Sequence, residues 1–204
     1  MPRLRLPADA ASDLGAAFPV RPDRLAIEIG FGGGEHAIAT AASDPGLGLI
    51  ACEVFEPGLC SLLSALAPEG MPEPPPPGNL MVWDEDARML LRALPDACLS
   101  AAWLMFPDPW PKTRHTKRRF VHPDQVALMA RVMKVHAVWR VASDDPTYQS
   151  WVEEVMAVQS LFDAAPPARS RPDGWPPTRY EAKALRAGRV PLYWSFTRTA
   201  KCLV

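Results

Sequence analysis

The segment Glu28-Ile-Gly-Phe-Gly-Gly-Gly-Glu35 sets a glycine-rich turn between two carboxylates. Without side chains at Gly30 and Gly32 the backbone can approach a ligand closely. A dinucleotide fingerprint would carry Gly or Ala where Glu35 stands and a phosphate at the next helix N-terminus, where paired carboxylates repel it. The same carboxylates suit a phosphate-free cofactor with cationic centres, and S-adenosylmethionine, with its ammonium and sulfonium, is the common one. Glu53, 23 residues after Gly30, stands where an acidic residue accepts from ribose hydroxyls. Asp86 reads either as a contact to the adenine end or as an N-cap before Ala87. For Glu28 the alternative is a strand-end carboxylate holding nearby backbone amides.

The second cluster is Phe106-Pro-Asp-Pro-Trp-Pro-Lys-Thr-Arg-His-Thr-Lys-Arg-Arg-Phe120. Pro107, Pro109 and Pro111 restrict the backbone, so Asp108 and Trp110 are held in fixed positions. A mobile basic arm is expected next, in which Lys112, Arg114, Lys117, Arg118 and Arg119 neutralise phosphates and position a nucleic acid. Trp110 reads either as a stacking ring for an extruded base or as a core anchor. A rigid acid and aromatic beside a cofactor loop, followed at once by a phosphate clamp, point to a nucleobase as methyl acceptor.

These residues need elements to hold them. Apolar runs predict strands over 25–29, 49–54, 80–83, 101–106, 135–142 and 190–197. Helices are expected over 35–43, 59–67 and 85–94, and again where Val126, Met129, Ala130 and Met133 form an apolar stripe. Asp145-Pro146 supplies an N-cap and first turn, with Trp151, Val155, Val158 and Phe162 at helical spacing after it. Alternating strands and helices predict an open, mostly parallel α/β sheet with its ligands beyond the strands' C-terminal ends. A proline-rich loop over 68–78 contains an exposed polyproline spacer, Pro74 to Pro77. One domain over 1–204 is expected, with a short N-terminal extension to about residue 22.

Composition narrows the class. With 48% hydrophobic and 22% charged residues the chain is an ordinary globular protein, although its 24 prolines are unusual. No stretch of 18 apolar residues occurs, and Arg3, Arg5, Asp9 and Asp13 interrupt any secretory leader, so a cytoplasmic protein is expected. Cys52, Cys60, Cys98 and Cys202 form no C-x-x-C pair, and His36, His115, His122 and His136 no ligand spacing, so no metal is expected. The net charge of −1 conceals a separation: residues 26–107 hold two basic side chains against eleven acidic, whereas 108–119 hold five against one. Residues 168–204 hold eight against two. Such basic blocks fit a polyanionic partner.

The stretch from Pro107 to Arg119 closely resembles the signature of the bacterial tRNA (guanine-N7)-methyltransferases, which modify the variable-loop guanine at tRNA position 46. Glu28 to Glu35 is similar to that family's cofactor loop and Pro176-Pro-Thr-Arg-Tyr-Glu181 to its late substrate motif, so the resemblance runs from about Leu25 to Arg198. It implies the seven-stranded, Rossmann-like sheet of class I S-adenosylmethionine-dependent methyltransferases. It implies cofactor contacts from Glu28, Gly30, Gly32, Glu53, Asp86 and Asp108, with Asp108 catalytic. Lys112, Asp144, Thr178, Arg179, Tyr180 and Glu181 would bind the substrate, and Arg114, His115, Thr116, Lys117, Arg118 and Arg119 would touch RNA. The implied partner is tRNA, with the enzyme a monomer or homodimer.

Guanine N7 has a lone pair at neutral pH and needs no base. Asp108 would orient the guanine and stabilise the developing cation, while Asp144 and Glu181 would accept from its N1–H and amino group. Their alternatives are a helix cap and a surface turn. The sequence departs from the family in its short N-terminus, where only Arg3 and Arg5 remain basic, and at Lys134-Val-His-Ala137, where relatives carry a Pro-Gly-Gly turn. Competing readings are a same-fold methyltransferase acting on a small molecule or protein, and a non-catalytic RNA-binding module.

Overall fold

The computed structural model describes residues 4–7, 9–10, 13–67 and 77–201 of the 204-residue chain. Arg3, Cys202 and the proline-rich loop up to residue 76 lie outside the described residues. The strands are β1 (Arg24–Ile29), β2 (Leu47–Cys52), β3 (Leu80–Trp83), β4 (Leu99–Met105), β5 (Met133–Ser143), β6 (Phe162–Ala164) and β7 (Leu192–Arg198). The helices are α1 (Glu35–Ser43), α2 (Glu56–Leu66), α3 (Ala87–Ala93), α4 (Pro123–Val132), α5 (Pro146–Ala157) and α6 (Arg179–Arg186). They build a seven-stranded sheet of order β3-β2-β1-β4-β5-β7-β6. The pairs β1–β2, β2–β3 and β4–β5 are parallel, and β7 runs antiparallel to β5 and β6. The expected mostly parallel α/β sheet is the one the chain forms.

Two compact units comprise Met1–Pro95 and Asp96–Val204. In the first, Ala26, Ile27, Leu49, Ile50, Ala51, Leu80 and Val82 are fully buried. Strands covered on both faces need apolar residues at consecutive positions, which is why these stretches read as continuous runs. In the second, the ring of Trp139 meets Phe120, Phe162 and Phe196 at centroid separations of 6.3, 5.8 and 6.1 Å. Such large rings supply most of a core's buried area.

Three expectations change. The helix expected to reach Phe162 ends at Ala157, and Phe162 opens β6. Gln159 makes the stop: its amide donates to the Met156 and Phe162 carbonyls and its oxygen accepts from the Phe162 N–H. Met133 closes α4 and begins β5. Within 134–137, His136 takes φ 69° and the β4–β5 register shifts, so the stretch is an irregularity inside β5 rather than a turn before it. Helix α6, for which no expectation stood, has no apolar stripe to reveal it, because only Glu181 and Ala184 of its residues are buried. Among the described residues no helix is long and apolar enough to cross a membrane.

Candidate active site

After β1 the chain turns through Gly30, Gly32 and Gly34 at φ 72°, 58° and 85°, a region that glycine enters without steric penalty. Amides of Gly30 and Phe31 donate to the Cys52 carbonyl at the end of β2, at 2.8 and 3.2 Å. Just before the turn, Glu28 is buried, its Oε2 2.9 Å from Nδ1 of His36 on the first turn of α1. It thus reaches a side chain across the turn.

Glu53 shapes the loop from the other strand. Its Oε2 accepts from the Gly32 N–H at 2.8 Å, and its Oε1 accepts from the Val54 and Phe55 amides at 2.9 Å each. A carboxylate offers about four acceptor sites, so about one remains for a ligand hydroxyl. Gly58 on α2 permits the arrangement: a Cβ there would stand 2.4 Å from the Gly32 carbonyl oxygen. Asp86 takes its capping role, accepting from the Arg88 N–H at 2.8 Å and pairing with that guanidinium at 3.4 Å.

The field in this unit is negative. Burial first, and then the charges of Glu28, Glu53 and Asp86, push the Cys52 thiol well above its ordinary range. No lysine or arginine occurs between Arg24 and Arg88. Space beside Gly30 is open, with nothing within 4 Å of an added Cβ. An acceptor-rich, cation-poor cradle with bare backbone fits a phosphate-free nucleoside carrying positive charge, and the residues present fit S-adenosylmethionine. Among the described residues no cluster of His, Cys, Asp or Glu could hold a metal ion.

In the second unit β4 ends at Met105, and the chain leaves it through two left-handed residues, Phe106 at φ 53° and Trp110 at φ 43°. Each conformation costs an L residue about 1–3 kcal/mol and persists only where its surroundings enforce it. Between them Asp108 is exposed, its backbone confined by Pro107 and Pro109. The Phe106 amide anchors the exit by donating to the Ala142 carbonyl of β5 at 2.8 Å.

The basic arm takes regular structure. Thr113–Arg118 form a 3-10 helix that presents Lys112, Arg114, Lys117 and Arg118 to solvent, with His115 and Thr116 half-buried. Trp110 packs inside this turn, with Arg118 4.6 Å over its ring and His115 edge-on at 5.6 Å. Arg119 departs from the expected RNA contact: it is only 4% exposed. Its Nε donates to the carbonyls of Pro109 and Trp110 at 3.1 and 3.3 Å, and its Nη2 to that of Trp110 at 3.1 Å.

Asp144, just beyond β5, pairs with Arg189 at 2.6 Å, and the helix cap belongs to its neighbour Asp145, which accepts from the Tyr148 N–H at 2.9 Å. Thr178 caps α6 through the Glu181 N–H at 3.0 Å. Glu181 is buried, not a surface turn: Arg171 reaches its two oxygens at 3.2 and 3.0 Å, and the Tyr193 hydroxyl donates to it at 2.8 Å. Burial, then the bond to Glu181, raises the Tyr193 pKa. Arg179 and Tyr180 stay exposed, the guanidinium 5.3 Å over the ring. Sequence reasoning missed His36, Gly58, Arg171, Arg189 and Tyr193, none of which has a local signal, because each meets its partner through the fold.

The sheet, with antiparallel β7 between β5 and β6, is that of a class I S-adenosylmethionine-dependent methyltransferase. Solved structures of that class superpose on it, among them the 16S rRNA methyltransferase KamB, with a TM-score of 0.61 at 16% identity over 93% of this chain and 94% of its own. A mutant of the 16S rRNA (adenine(1408)-N(1))-methyltransferase from Catenulisporales acidiphilia, solved with the cosubstrate S-adenosylmethionine, gives 0.58 at 12% identity over 97% and 94%. At such identities the likeness is one of fold alone. The model of a methyltransferase family, Methyltransf_4, matches residues 22–192. The tRNA (guanine-N(7)-)-methyltransferase of Granulibacter bethesdensis is 65% identical over 176 residues, 85% of this chain and 78% of that protein. The chain belongs to the tRNA (guanine-N7)-methyltransferase family.

Proposed function

We propose that the protein transfers a methyl group from S-adenosylmethionine to N7 of a guanine in tRNA, the variable-loop guanine at position 46, in the cytoplasm. The observation that carries the reading is an exposed Asp108 on a proline-confined turn, followed directly by the exposed cations Lys112, Arg114 and Lys117. Lysine and arginine meet phosphates and orient an RNA without reading its sequence. Asp108 stands beside them as a fixed acceptor for a base.

Bound S-adenosylmethionine would supply an electrophilic methyl group; Gly30, Gly32 and Glu53 are the residues that would hold it, with Glu28, paired with His36, supporting the glycine turn from beneath. Guanine N7 already carries its lone pair, so no side chain has to remove a proton first. Asp108 orients the ring and offsets the positive charge that develops on it. Asp144 and Glu181 are acceptors for the guanine's N1–H and amino group, and Glu181 is held by Arg171 and the Tyr193 hydroxyl. The test is incubation with unmodified tRNA and labelled donor, followed by nucleotide mapping. Label in N7-methylguanosine at position 46 is expected; label confined to a small molecule or protein would support the rival acceptor instead.

A further inference from the structure

We propose that Arg119 is a positioning residue for methyl transfer: buried, it clamps the Pro107–Pro111 turn and so sets Asp108 relative to Asp144. The assignment rests on the reading above, in which those two carboxylates serve the acceptor base. Arg119 bonds the two carbonyls that flank the φ and ψ of Trp110, the residue held at φ 43°. A guanidinium bonds adjacent carbonyls with donors held in one plane, whereas an ammonium offers rotatable donors that fix the geometry less. At 4% exposure the side chain has almost no surface to offer a phosphate.

The clamp is itself tied down. The Arg119 guanidinium lies 4.9 Å over the ring of Trp151 on α5. Two residues on, the Val121 amide donates to the Tyr148 hydroxyl at 3.2 Å, and the Val121 carbonyl accepts from the Trp151 indole. Both aromatic partners belong to α5, whose N-cap Asp145 adjoins Asp144. One frame thus joins the turn that carries Asp108 to the strand end that carries Asp144: the Phe106–Ala142 hydrogen bond ties its start, and Arg119 ties its far side.

The experiment compares Arg119→Lys and Trp151→Leu with the parent protein. Single-turnover transfer at saturating tRNA is expected to fall about 10- to 100-fold in Arg119→Lys and about 3- to 10-fold in Trp151→Leu. The tRNA Kd should stay within 3-fold of the parent with the same dependence on salt, and S-adenosylmethionine affinity should be unchanged. Hydrogen exchange across residues 106–112 reads the clamp without substrate and is expected to speed up in both variants. A weakened tRNA Kd with a salt slope reduced by about 0.7–0.9 and a retained saturating rate would make Arg119 an RNA contact and overturn the assignment. Unchanged exchange and rate, or loss of cooperative unfolding in both variants, would overturn it too. A parent protein that methylates no tRNA sinks the functional reading instead, while exchange still decides the clamp.

Discussion

Glu28 Oε2 lies 2.9 Å from His36 Nδ1, joining the end of β1 to the first turn of α1 across the glycine loop, with both side chains sealed from solvent. A carboxylate so buried depends on its partner, because removing that partner leaves its desolvation uncompensated. His36→Ala is therefore expected to destabilise the protein by about 3 kcal/mol. Urea unfolding measures it, and a change below about 1 kcal/mol would contradict the dependence.

Gly58→Ala tests the loop from a residue that carries no polar side chain. The added methyl would lie 2.4 Å from the Gly32 oxygen and 3.2 Å from Glu53 Cγ, so the glycine turn or α2 must move. Calorimetry should show S-adenosylmethionine bound at least 10-fold more weakly; unchanged affinity would dissociate the turn from cofactor binding.

The basic 3-10 helix makes a claim about salt. Arg114 and Lys117 are both exposed, and each phosphate contact adds about 0.7–0.9 to the slope of log affinity against log salt. Replacing both by alanine should lower that slope for tRNA by about 1.5. Parallel lines for variant and parent would remove these residues from the RNA surface.

Alkaline pH should weaken the fold. Burial pushes the Cys98 thiol from 9.0 up to about 11, and the Tyr193 hydroxyl is raised by burial and by Glu181. Both groups are neutral when protonated, so as pH rises past their unfolded values the unfolded chain sheds protons that the folded one retains. Stability present below pH 9 is then lost as pH climbs toward 11. The melting temperature should fall over this interval, less steeply in Cys98→Ala, and identical slopes would count against the thiol's contribution.

Much of the sheet was legible because strands covered on both faces leave unbroken apolar runs, as in Ala101 to Phe106. The Asp145-Pro146 start of α5 was legible as well, because a cap is a local signal. The fate of Arg119 was not: within five cations of one block its burial is decided by Trp151, contributed by a helix further along the chain. Glu28 and His36 are eight residues apart, a spacing that belongs to neither helix nor strand, and only the glycine turn brings them together. Helix α6 offered just the Thr178-x-x-Glu181 start, since a face that buries a glutamate writes no apolar period.

The most direct measurement compares Asp108→Ala with the parent for both tRNA binding and single-turnover methyl transfer from S-adenosylmethionine. tRNA should bind within about 3-fold of the parent while transfer to guanine N7 falls by at least 100-fold, about 2.7 kcal/mol of lost transition-state stabilisation. Transfer at the parent rate would contradict the role given to Asp108 and, with it, the mechanism.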